Sequence, residues 1–422
     1  MARPQASAHH ELTPYVRSGA VLLRAWHAIR RNAETSKTKS TRDEAQAFGR
    51  DLPANLRKLQ KRLHEGYEFE KAYGATPPKG NGKAGKRPIV VAPLPDRIVQ
   101  RAILDVLQTA KSMVGIQDVL STPTSIGGIP GRGVDSAIAM FDEHVANGKC
   151  HLAGSDIASF FTKIPKPQVV EFVRREGADS EFVDLFERAL TVELSNAADL
   201  PPEDLSLFPT DELGVAQGCP LSALAGNIVL RDFDKELNAA DRGLVCIRYI
   251  DDFLVLGRRR LNVQKGMKKA RGMLEQLGMG IYDPALHPRK AFAGHVSEGH
   301  DFLGYKLIPG KYRPSDAAQE RFRDSIDRLI HSGQATIEKV KKGRRLTAYD
   351  KTFSETLVAI DRTTMGWKSS FQSATCSTTF ENLDQWIARR VRDFEQFLNC
   401  SAPLGSSLRV QALGVARMGS SV

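Results

Sequence analysis

Two adjacent aspartates between two apolar runs constrain the fold of this chain more than any other feature. The runs Val245–Ile250 and Phe253–Leu256 are rich in β-prone residues, and a tight polar centre between such runs is typical of a β-hairpin. The hairpin presents Asp251 and Asp252 at its turn. Neighbouring carboxylates repel each other, and in apolar surroundings they need a cation or a proton between them. By itself the segment leaves an ordinary Asp-containing turn equally open.

A third carboxylate has a similar setting. Asp156 follows a strand-like stretch and precedes Phe160 and Phe161, and this local pattern alone favours an aspartate that caps a helix N-terminus. The alternative is more specific. Three aspartates from two strand ends offer the oxygen ligands that Mg²⁺ prefers. Two such ions activate an attacking 3′-hydroxyl and neutralise a leaving pyrophosphate, which is the minimal apparatus for nucleotidyl transfer.

The composition is typical of a globular protein that binds a polyanion. The chain has 422 residues, of which 41% are hydrophobic and 26% charged, and a net charge of +11. These values predict two or three structural units and exclude wholesale disorder. The positive balance favours nucleic acid over a membrane as partner. No apolar stretch approaches the roughly 18 residues of a membrane helix, and five widely spaced cysteines without a C-x-x-C pair fit a reducing cytoplasm.

The periodicity of apolar residues predicts a mixed α/β (α+β) fold. A loop with three glycines and a proline lies at 125–132, and alternating strand and helix patterns fill 150–260. The periodicity predicts helices at 43–65, 96–107, 264–277, 317–332 and 380–399, and strands at 88–93 and near 292–308.

The acidic hairpin resembles a known signature. Tyr249-Ile-Asp-Asp252 is similar to the Y-x-D-D motif of reverse transcriptases, and Asp156 falls where that family has its first metal ligand. Between them, Gln217-Gly-Cys-Pro-Leu-Ser222 resembles the family's Q-G-x-P-L-S motif, followed by Asn227 at the expected distance. Any one motif is weak, but the series in the right order over residues 45–399 is strong.

Further segments extend the resemblance toward bacterial enzymes related to those of group II introns and retrons. They share family-like patterns in the fingers, the primer grip and the thumb: Lys86-Arg87-Pro88, Asp96–Gln100, Gly128–Arg132, Lys290, Phe302-Leu-Gly-Tyr305, Gly366-Trp367 and Leu383–Ile387. Two departures occur: Ala223 replaces a proline common in relatives, and Ile129 replaces an aromatic residue. Neither change removes a metal ligand.

The resemblance implies a right-hand polymerase with fingers, a palm made of an antiparallel sheet plus helices, and a helical thumb. The implied divisions are an N-terminal extension at 1–42, fingers at 43–150 with a partly fingers, partly palm insertion at 168–215, a palm at 151–310, a thumb at 311–400 and a small polar tail at 401–422.

The same resemblance implies the site. Asp156, Asp251 and Asp252, with the backbone carbonyl of Ile157, would hold two Mg²⁺ ions, for which Mn²⁺ could substitute, and Lys290 would act as a general acid. The implied dNTP-binding residues are Arg87, Lys86, Ile157, Phe161 as a steric gate, Gln217 and Gly218. The implied nucleic-acid-binding residues are Tyr249, Gly304, Lys339, Lys341, Lys342, Arg344 and Arg345.

Plainer interpretations stay open for several of these residues. Phe161 fits an ordinary core phenylalanine equally well. Lys79, Lys83, Lys86 and Arg87 form a basic loop, and Lys339–Arg345 has five cations in seven residues; each also fits a solvated surface. Lys290 without the resemblance reads as a surface lysine. Trp367 and Trp386 are interpreted as core residues rather than platforms for bases.

The resemblance points to a stand-alone bacterial enzyme of the "unknown group", many of which are defence-associated. The chain lacks retron-like N-A-x-x-H and V-T-G segments, and Gln217-Gly218 is intact, unlike in diversity-generating enzymes. The implied function is RNA-directed DNA synthesis in antiphage defence, with a structured noncoding RNA template, dNTPs, a DNA product, no membrane, a cytoplasmic location and homo-oligomerisation left open. Two alternatives remain: a template-independent or protein-primed polymerase, and a noncatalytic maturase-like RNA-binding protein.

Overall fold

The protein is described from a computed structural model, which defines residues 10–36, 38–79, 85–239, 243–347, 349–403 and 405–415. The chain divides into two compact units, Met1–Gly294 and His295–Val422. Among the described residues, no helix is both long and apolar enough to cross a lipid bilayer.

The first unit begins with helices that surround a buried helix, α5. The helices up to the central sheet are α1 (Thr13–Val16), α2 (Gly19–Glu34), α3 (Lys39–Arg50), α4 (Leu52–Glu65), α5 (Leu94–Thr109), α6 (Val114–Ser121) and α7 (Val134–Ala146). The predicted single helix at 43–65 is wrong, because the chain breaks at Asp51. Its carboxylate accepts a hydrogen bond from the Ala54 backbone N–H (3.4 Å) and caps α4.

The described residues of the first unit, with the residue that follows it, form seven strands. They are β1 (Tyr73–Ala75), β2 (Ile89–Val91), β3 (His151–Ala158), β4 (Leu244–Tyr249), β5 (Asp252–Gly257), β6 (Gly280–Ile281) and β7 (Ala291–His295). β1 and β2 form a small antiparallel pair, which confirms the strand predicted at 88–93. The central sheet has the order β4-β5-β3-β6, with β7 also paired to β3.

Helices cover one face of the central sheet. The remaining helices of this unit are α8 (Phe160–Lys163), α9 (Lys166–Arg175), α10 (Ser180–Leu190), α11 (Pro202–Leu205), α12 (Ser222–Val229), α13 (Arg231–Leu237) and α14 (Arg260–Gln276). The rings of Phe233 on α13 and Phe253 on β5 meet edge to face at 5.4 Å. On α14, Gly266 allows close packing, since a β-carbon there would lie 3.3 Å from Val255 Cγ1. Helices with an antiparallel sheet confirm the predicted fold class.

The second unit is a three-stranded sheet followed by long helices. Its elements are β8 (His300–Phe302), β9 (Tyr305–Ile308), β10 (Lys311–Pro314), α15 (Asp316–Lys341), α16 (Phe353–Ser369), α17 (Ser377–Ser401) and α18 (Ser407–Leu413). Trp367 stacks on Phe322 at 4.6 Å, and both Trp367 and Trp386 pack against the helical core, as predicted. Part of the predicted small polar tail is helical: α18 buries Ala412 against this core.

Candidate active site

The predicted hairpin is present and carries both aspartates. β4 and β5 pair antiparallel, with Tyr249 opposite Asp252. β5 also pairs with β3 on its other side, and this register places Asp156 directly opposite Asp252. Directly opposed residues of an antiparallel pair have β-carbons about 5 Å apart. The sheet therefore brings together two carboxylates that are distant in the sequence.

Asp156 is not a helix cap. It lies inside β3, where its N–H donates to the Lys290 carbonyl (3.0 Å), while the next N–H, of Ile157, donates to the Asp251 carbonyl (2.8 Å). These two bonds bring the hairpin turn and the segment before β7 to the same end of β3. The helix-cap interpretation of Asp156 is thus wrong, because the residue lies within β3, two residues before the end of the strand.

The turn between the two strands is strained. Ile250 has a φ of +59°, which is an outlier for a β-branched residue. Such conformations persist only where the surroundings enforce them. Here the Arg248 guanidinium donates to the Ile250 carbonyl (3.0 Å). The turn is therefore fixed by a contact from its own strand.

Arg248 is fully buried and uses all of its side-chain nitrogens. Its Nε and Nη2 bond the two carboxylate oxygens of Asp234 (2.8 and 2.5 Å), and its remaining partners are Asn227 Oδ1 (3.0 Å), Ser125 Oγ (2.8 Å) and the Ile250 carbonyl. A bidentate fork of this kind fixes geometry as well as charge. The network ties the acidic turn to α12, to α13 and to the glycine loop.

The glycine loop at 125–132 packs directly beneath the acidic turn. A β-carbon on Gly127 would lie 2.6 Å from the Ile250 backbone nitrogen, closer than any side chain can approach. The Gly127 carbonyl also accepts a hydrogen bond from Asn227 Nδ2 (3.0 Å). Arg132 holds the loop by donating to the carbonyls of Ser125 (2.7 Å) and Thr122. The loop was predicted; its contact with the turn was not.

The electrostatics of the three carboxylates favour a bound cation. Burial and the neighbouring Asp156 raise the pKa of both Asp251 and Asp252, and Asp252 also shares a hydrogen bond with Asp156. A raised pKa means that the negative charges are poorly compensated by the protein itself. Divalent cations relieve such repulsion, and carboxylate oxygens are the ligands that Mg²⁺ prefers. The donor set therefore fits the predicted magnesium site.

Lys290 lies within this acidic group. Its ammonium pairs with Asp156 and is 4.9 Å from the centre of the Tyr282 ring. Burial is the largest single effect and lowers the pKa of Lys290, but the hydrogen bond to Asp156 and the charges of Asp156 and Asp252 together outweigh it, so the pKa of the lysine is raised. Among the described residues, no three His, Cys, Asp or Glu side chains already form a closed metal-binding group.

The residues predicted to bind dNTP surround this end of the sheet to different degrees. Arg87 is exposed and close enough to Asp251 for its charge to oppose, in small part, the rise in the pKa of that carboxyl. Lys86 is instead held by the buried Asp204, with Nζ 2.7 Å from both oxygens. Lys79 is exposed, and Lys83 lies outside the described residues.

Phe161, Gln217 and Gly218 each make packing or hydrogen-bond contacts within the protein. Phe161 is half-buried against the core, 5.3 Å from the Phe160 ring. The Gln217 carbonyl accepts a hydrogen bond from Val90 N–H (3.0 Å), and Gly218 has a φ of +123°. A β-carbon on Gly218 would lie 2.7 Å from the Val90 carbonyl oxygen. In this structure the glycine is required by β2.

The predicted nucleic-acid-binding residues are divided between the units. Tyr249 is half-buried on β4 beside the aspartates. In the second unit, Gly304 (φ +85°) makes the turn of the predicted β8–β9 hairpin. Lys339 is held by Asp350 (2.5 Å). The other four cations of this run are exposed at and beyond the end of α15: Lys341, Lys342, Arg344 and Arg345.

Sequence reasoning missed the Arg248 network. The signal was present, because an arginine inside an apolar strand must find a buried partner. Asp234 is that buried partner. It could not be predicted from the sequence, because its position beside Arg248 depends on how α13 packs on the sheet. Gly127 was a second indication. A glycine in this loop suggested a close contact with another backbone segment, but the sequence did not show which one.

Comparisons with known proteins agree with this geometry. A family model described as "Reverse transcriptase (RNA-dependent DNA polymerase)" matches residues 77–307, more than half of the chain. Protein YkfC of Escherichia coli (strain K12) is 29% identical over 273 residues, which cover 56% of this chain and 66% of YkfC. The chain thus spans just under two thirds of the length of this curated relative.

The solved structures matched to this chain share little sequence with it. A chain of a partial Cas6-RT-Cas1–Cas2 complex is 20% identical with a TM-score of 0.34, covering 63% of this chain and 43% of that one. An apo telomerase from Candida tropicalis, truncated from its C-terminal domain, is 14% identical with a TM-score of 0.39, covering 58% and 55%. The family match, by contrast, includes Asp156, Asp251, Asp252 and Lys290, and it confirms the predicted resemblance and the right-hand polymerase class. On this evidence the chain belongs to the reverse transcriptase family.

Proposed function

We propose that this chain is an RNA-directed DNA polymerase that adds deoxynucleotides to a 3′-hydroxyl. The observation that carries the proposal is the register of β3 and β5, which places Asp156 opposite Asp252 beside the strained Asp251 turn. Three carboxylates at one strand end, in a member of this family, are suited to nucleotidyl transfer. The reaction needs positioning and charge neutralisation rather than a protein nucleophile.

Asp156, Asp251 and Asp252, with the Ile157 backbone carbonyl, would hold two Mg²⁺ ions. When bound, these ions supply charge neutralisation and activation of the hydroxyl; Mn²⁺ has compatible oxygen preferences. Lys290 stays protonated beside Asp156, because its pKa is raised. It is therefore able to give a proton to the departing pyrophosphate as a general acid.

The substrate residues are proposed from their positions around the carboxylates. Arg87 offers a guanidinium fork to triphosphate oxygens, with Lys86 beside it on the same segment. Phe161, three residues beyond the end of β3, would exclude a ribose 2′-hydroxyl and so select dNTPs. Gln217 and Gly218 would lie under the nascent base pair, and Tyr249 beside the primer end.

The second unit supplies the proposed primer grip and thumb. The proposed division keeps an N-terminal extension at 1–42, fingers at 43–150 with the insertion 168–215, a palm at 151–310, a thumb at 311–400 and a tail at 401–422. Gly304 forms the tip of the β8–β9 hairpin. The exposed cations Lys341, Lys342, Arg344 and Arg345, with Lys339, would follow the phosphates of a template–primer duplex.

We further propose a bacterial, cytoplasmic role in antiphage defence with a structured noncoding RNA as template. The support is the resemblance to stand-alone bacterial enzymes and the net charge of +11. Sequencing the nucleic acids that copurify with the protein tests this role. A discrete structured transcript with complementary DNA is expected; random cellular RNA without cDNA would contradict it.

Extension on a defined template tests the polymerase itself. With a heteropolymeric RNA, an annealed DNA primer, Mg²⁺ and labelled dNTPs, we expect DNA complementary to the template and no product without RNA. Homopolymeric DNA regardless of template would favour a template-independent polymerase instead. RNA binding without any extension would favour the maturase-like alternative.

Gly127→Ala is expected to lower the extension rate by on the order of 100-fold. The added methyl group would overlap the Ile250 backbone nitrogen and displace the turn that carries Asp251 and Asp252. Initial rates on the primed RNA template measure the effect. Gly133→Ala is the matched control, since a β-carbon there meets nothing within 4 Å. Equal rates for both variants would show that the loop does not position the turn.

A further inference from the structure

The outer face of α14 has no part in the proposed chemistry. α14 packs on the central sheet through Val263, Gly266, Ala270 and Leu274, and Gly266 meets Val255 of β5. Val255 and Asp252 are separated by an odd number of positions on β5, so their side chains leave opposite faces of the sheet. α14 therefore covers the face opposite the catalytic carboxylates, and its outer side points away from them.

This helix and the segment before it have an unusual charge pattern. Seven cations and no acidic residue occur between positions 258 and 271: Arg258, Arg259, Arg260, Lys265, Lys268, Lys269 and Arg271. Solvated helix faces more often alternate cations with carboxylates three or four residues away, which stabilises the helix. Within this run the repulsion among the cations is uncompensated, and the one carboxylate of α14, Glu275, lies beyond the run, four residues after Arg271.

Among the residues that the structure describes, one of these cations has an acidic partner within ion-pair distance. Lys269 pairs with Glu236 of α13 at 2.5 Å. Arg258 donates to the Asn147 backbone carbonyl (3.2 Å). Within the described ranges, the remaining five cations lie in no ion pair, and all five side chains are exposed: Arg259, Arg260, Lys265, Lys268 and Arg271.

At the centre of the exposed face, a glycine leaves the helix backbone open to close contact with a ligand. The helical repeat places Lys265, Lys268 and Gly272 on one side, with Leu261, which is 58% exposed. A β-carbon on Gly272 would meet no other atom within 4 Å, so packing inside the protein does not require this glycine. Glycine destabilises a helix relative to alanine. Its position between exposed cations leaves room for the backbone of a ligand.

We propose that the surface formed by Arg260, Leu261, Lys265, Lys268, Arg271 and Gly272, here named the α14 basic face, binds the sugar–phosphate backbone of folded RNA outside the catalytic cleft. Arg260 and Arg271 are about 16 Å apart along the helix axis, which suits several consecutive phosphates. A membrane surface is disfavoured, because interfacial helices present a broad apolar face and Leu261 is the single large apolar residue of this surface. The choice of RNA over DNA rests on the proposed function. The inference that this face binds a polyanion rests on its charge and exposure alone.

Charge reversal tests the α14 basic face. The probe is a fluorescein-labelled RNA stem-loop of about 20 base pairs with no free single-stranded end, measured by fluorescence anisotropy over a range of KCl concentrations. For K265E/K268E/R271E we expect Kd to rise about tenfold or more. The slope of log Kd against log salt should fall by about 2–3, since each lost phosphate contact removes somewhat under one unit.

A matched variant separates a local site from net charge. R24E/R30E/R31E makes the same charge change on α2, where all three arginines are exposed. We expect this control to keep the salt slope within about half a unit of the wild type. An equal loss for both variants, or no loss for the α14 variant, would overturn the proposal. K265Q/K268Q/R271Q, which removes charge without adding acid, should weaken binding in the same direction with an unchanged thermal midpoint.

Two further readouts complete the test. A DNA stem-loop of the same sequence should lose less affinity on charge reversal than the RNA; equal losses would overturn the assignment to RNA. Extension of a short primed template, which reaches only the cleft, should stay within about twofold of the wild type for the α14 variant. Absence of extension in the wild type would refute the proposed polymerase while leaving the binding result interpretable.

Discussion

D251A/D252A is expected to synthesise no detectable DNA on a primed RNA template while it retains RNA binding. The two carboxylates are held at the hairpin turn opposite Asp156. In the described register of β3, β4 and β5, no further acidic residue lies beside them. Loss of the groups that hold divalent ions removes charge neutralisation from both the attacking and the leaving oxygen. The expected loss is at least 10⁴-fold, on the order of what mutations of catalytic groups cost.

The same variant should be no less stable than the wild type without metal. The pKa of Asp252 is raised above its ordinary value, so the stabilisation linked to its protonated form is present at low pH and is lost as the pH rises through the raised pKa. At neutral pH Asp252 is ionised in the unfolded chain but held protonated in the folded one, where its pKa is about 9, and this difference opposes folding. Removing the two carboxyl groups leaves the thermal midpoint equal or higher.

Magnesium gives the matching control. Titration with Mg²⁺ should raise the thermal midpoint of the wild type, because a ligand that binds only the folded state stabilises it. The double variant should show no such rise. Undiminished cDNA from the variant, or an equal Mg²⁺ response in both proteins, would contradict the assignment of these aspartates.

Loss of Arg248 should have the second largest effect. R248A leaves Asp234 as an unpaired carboxylate in a site where both side chains are at most 2% exposed. Removing one partner of a buried ion pair costs about 3–5 kcal/mol. The free energy of unfolding, measured with urea, should fall by this amount, and extension should fall with it, because Ile250 loses the donor that holds its strained turn.

A double variant separates positioning from stability. R248M/D234L replaces the ion pair by apolar side chains, which often restores stability at such sites. We expect urea stability close to that of the wild type but extension still reduced at least tenfold, with the loss in kcat rather than KM. R248K, which keeps the charge but not the fork, should be intermediate in both. Full activity in R248M/D234L would show that Arg248 serves the fold alone.

Much of the site could be predicted because its signals are local. The hairpin around Asp251 and Asp252 follows from two apolar runs and a polar turn, and the structure has strands there. Asp156 was ambiguous, because a strand end and a helix cap share the same short pattern. The pairing of β3 with β5 resolved it, and that pairing depends on the whole sheet.

What the sequence left open depended on contacts between distant elements. The engagement of Lys86 by Asp204 and of Lys339 by Asp350 could not be predicted from basic runs alone. The break at Asp51 and the helix α18 in the tail were missed because a cap and a short amphipathic segment are weak local signals. Arg248 was missed because its partners come from three separate segments.

The pairing of β3 with β5 also determines when the protein can become functional during its synthesis. The two strands are separated by about 90 residues, which form helices, loops and β4, so their contact is strongly non-local, and closing such a loop is entropically slow. A nascent chain emerging from the ribosome cannot assemble the acidic centre until β5 has left the exit tunnel. Until then, the edge of β3 is exposed to aggregation, and chaperone dependence during expression is the expected consequence.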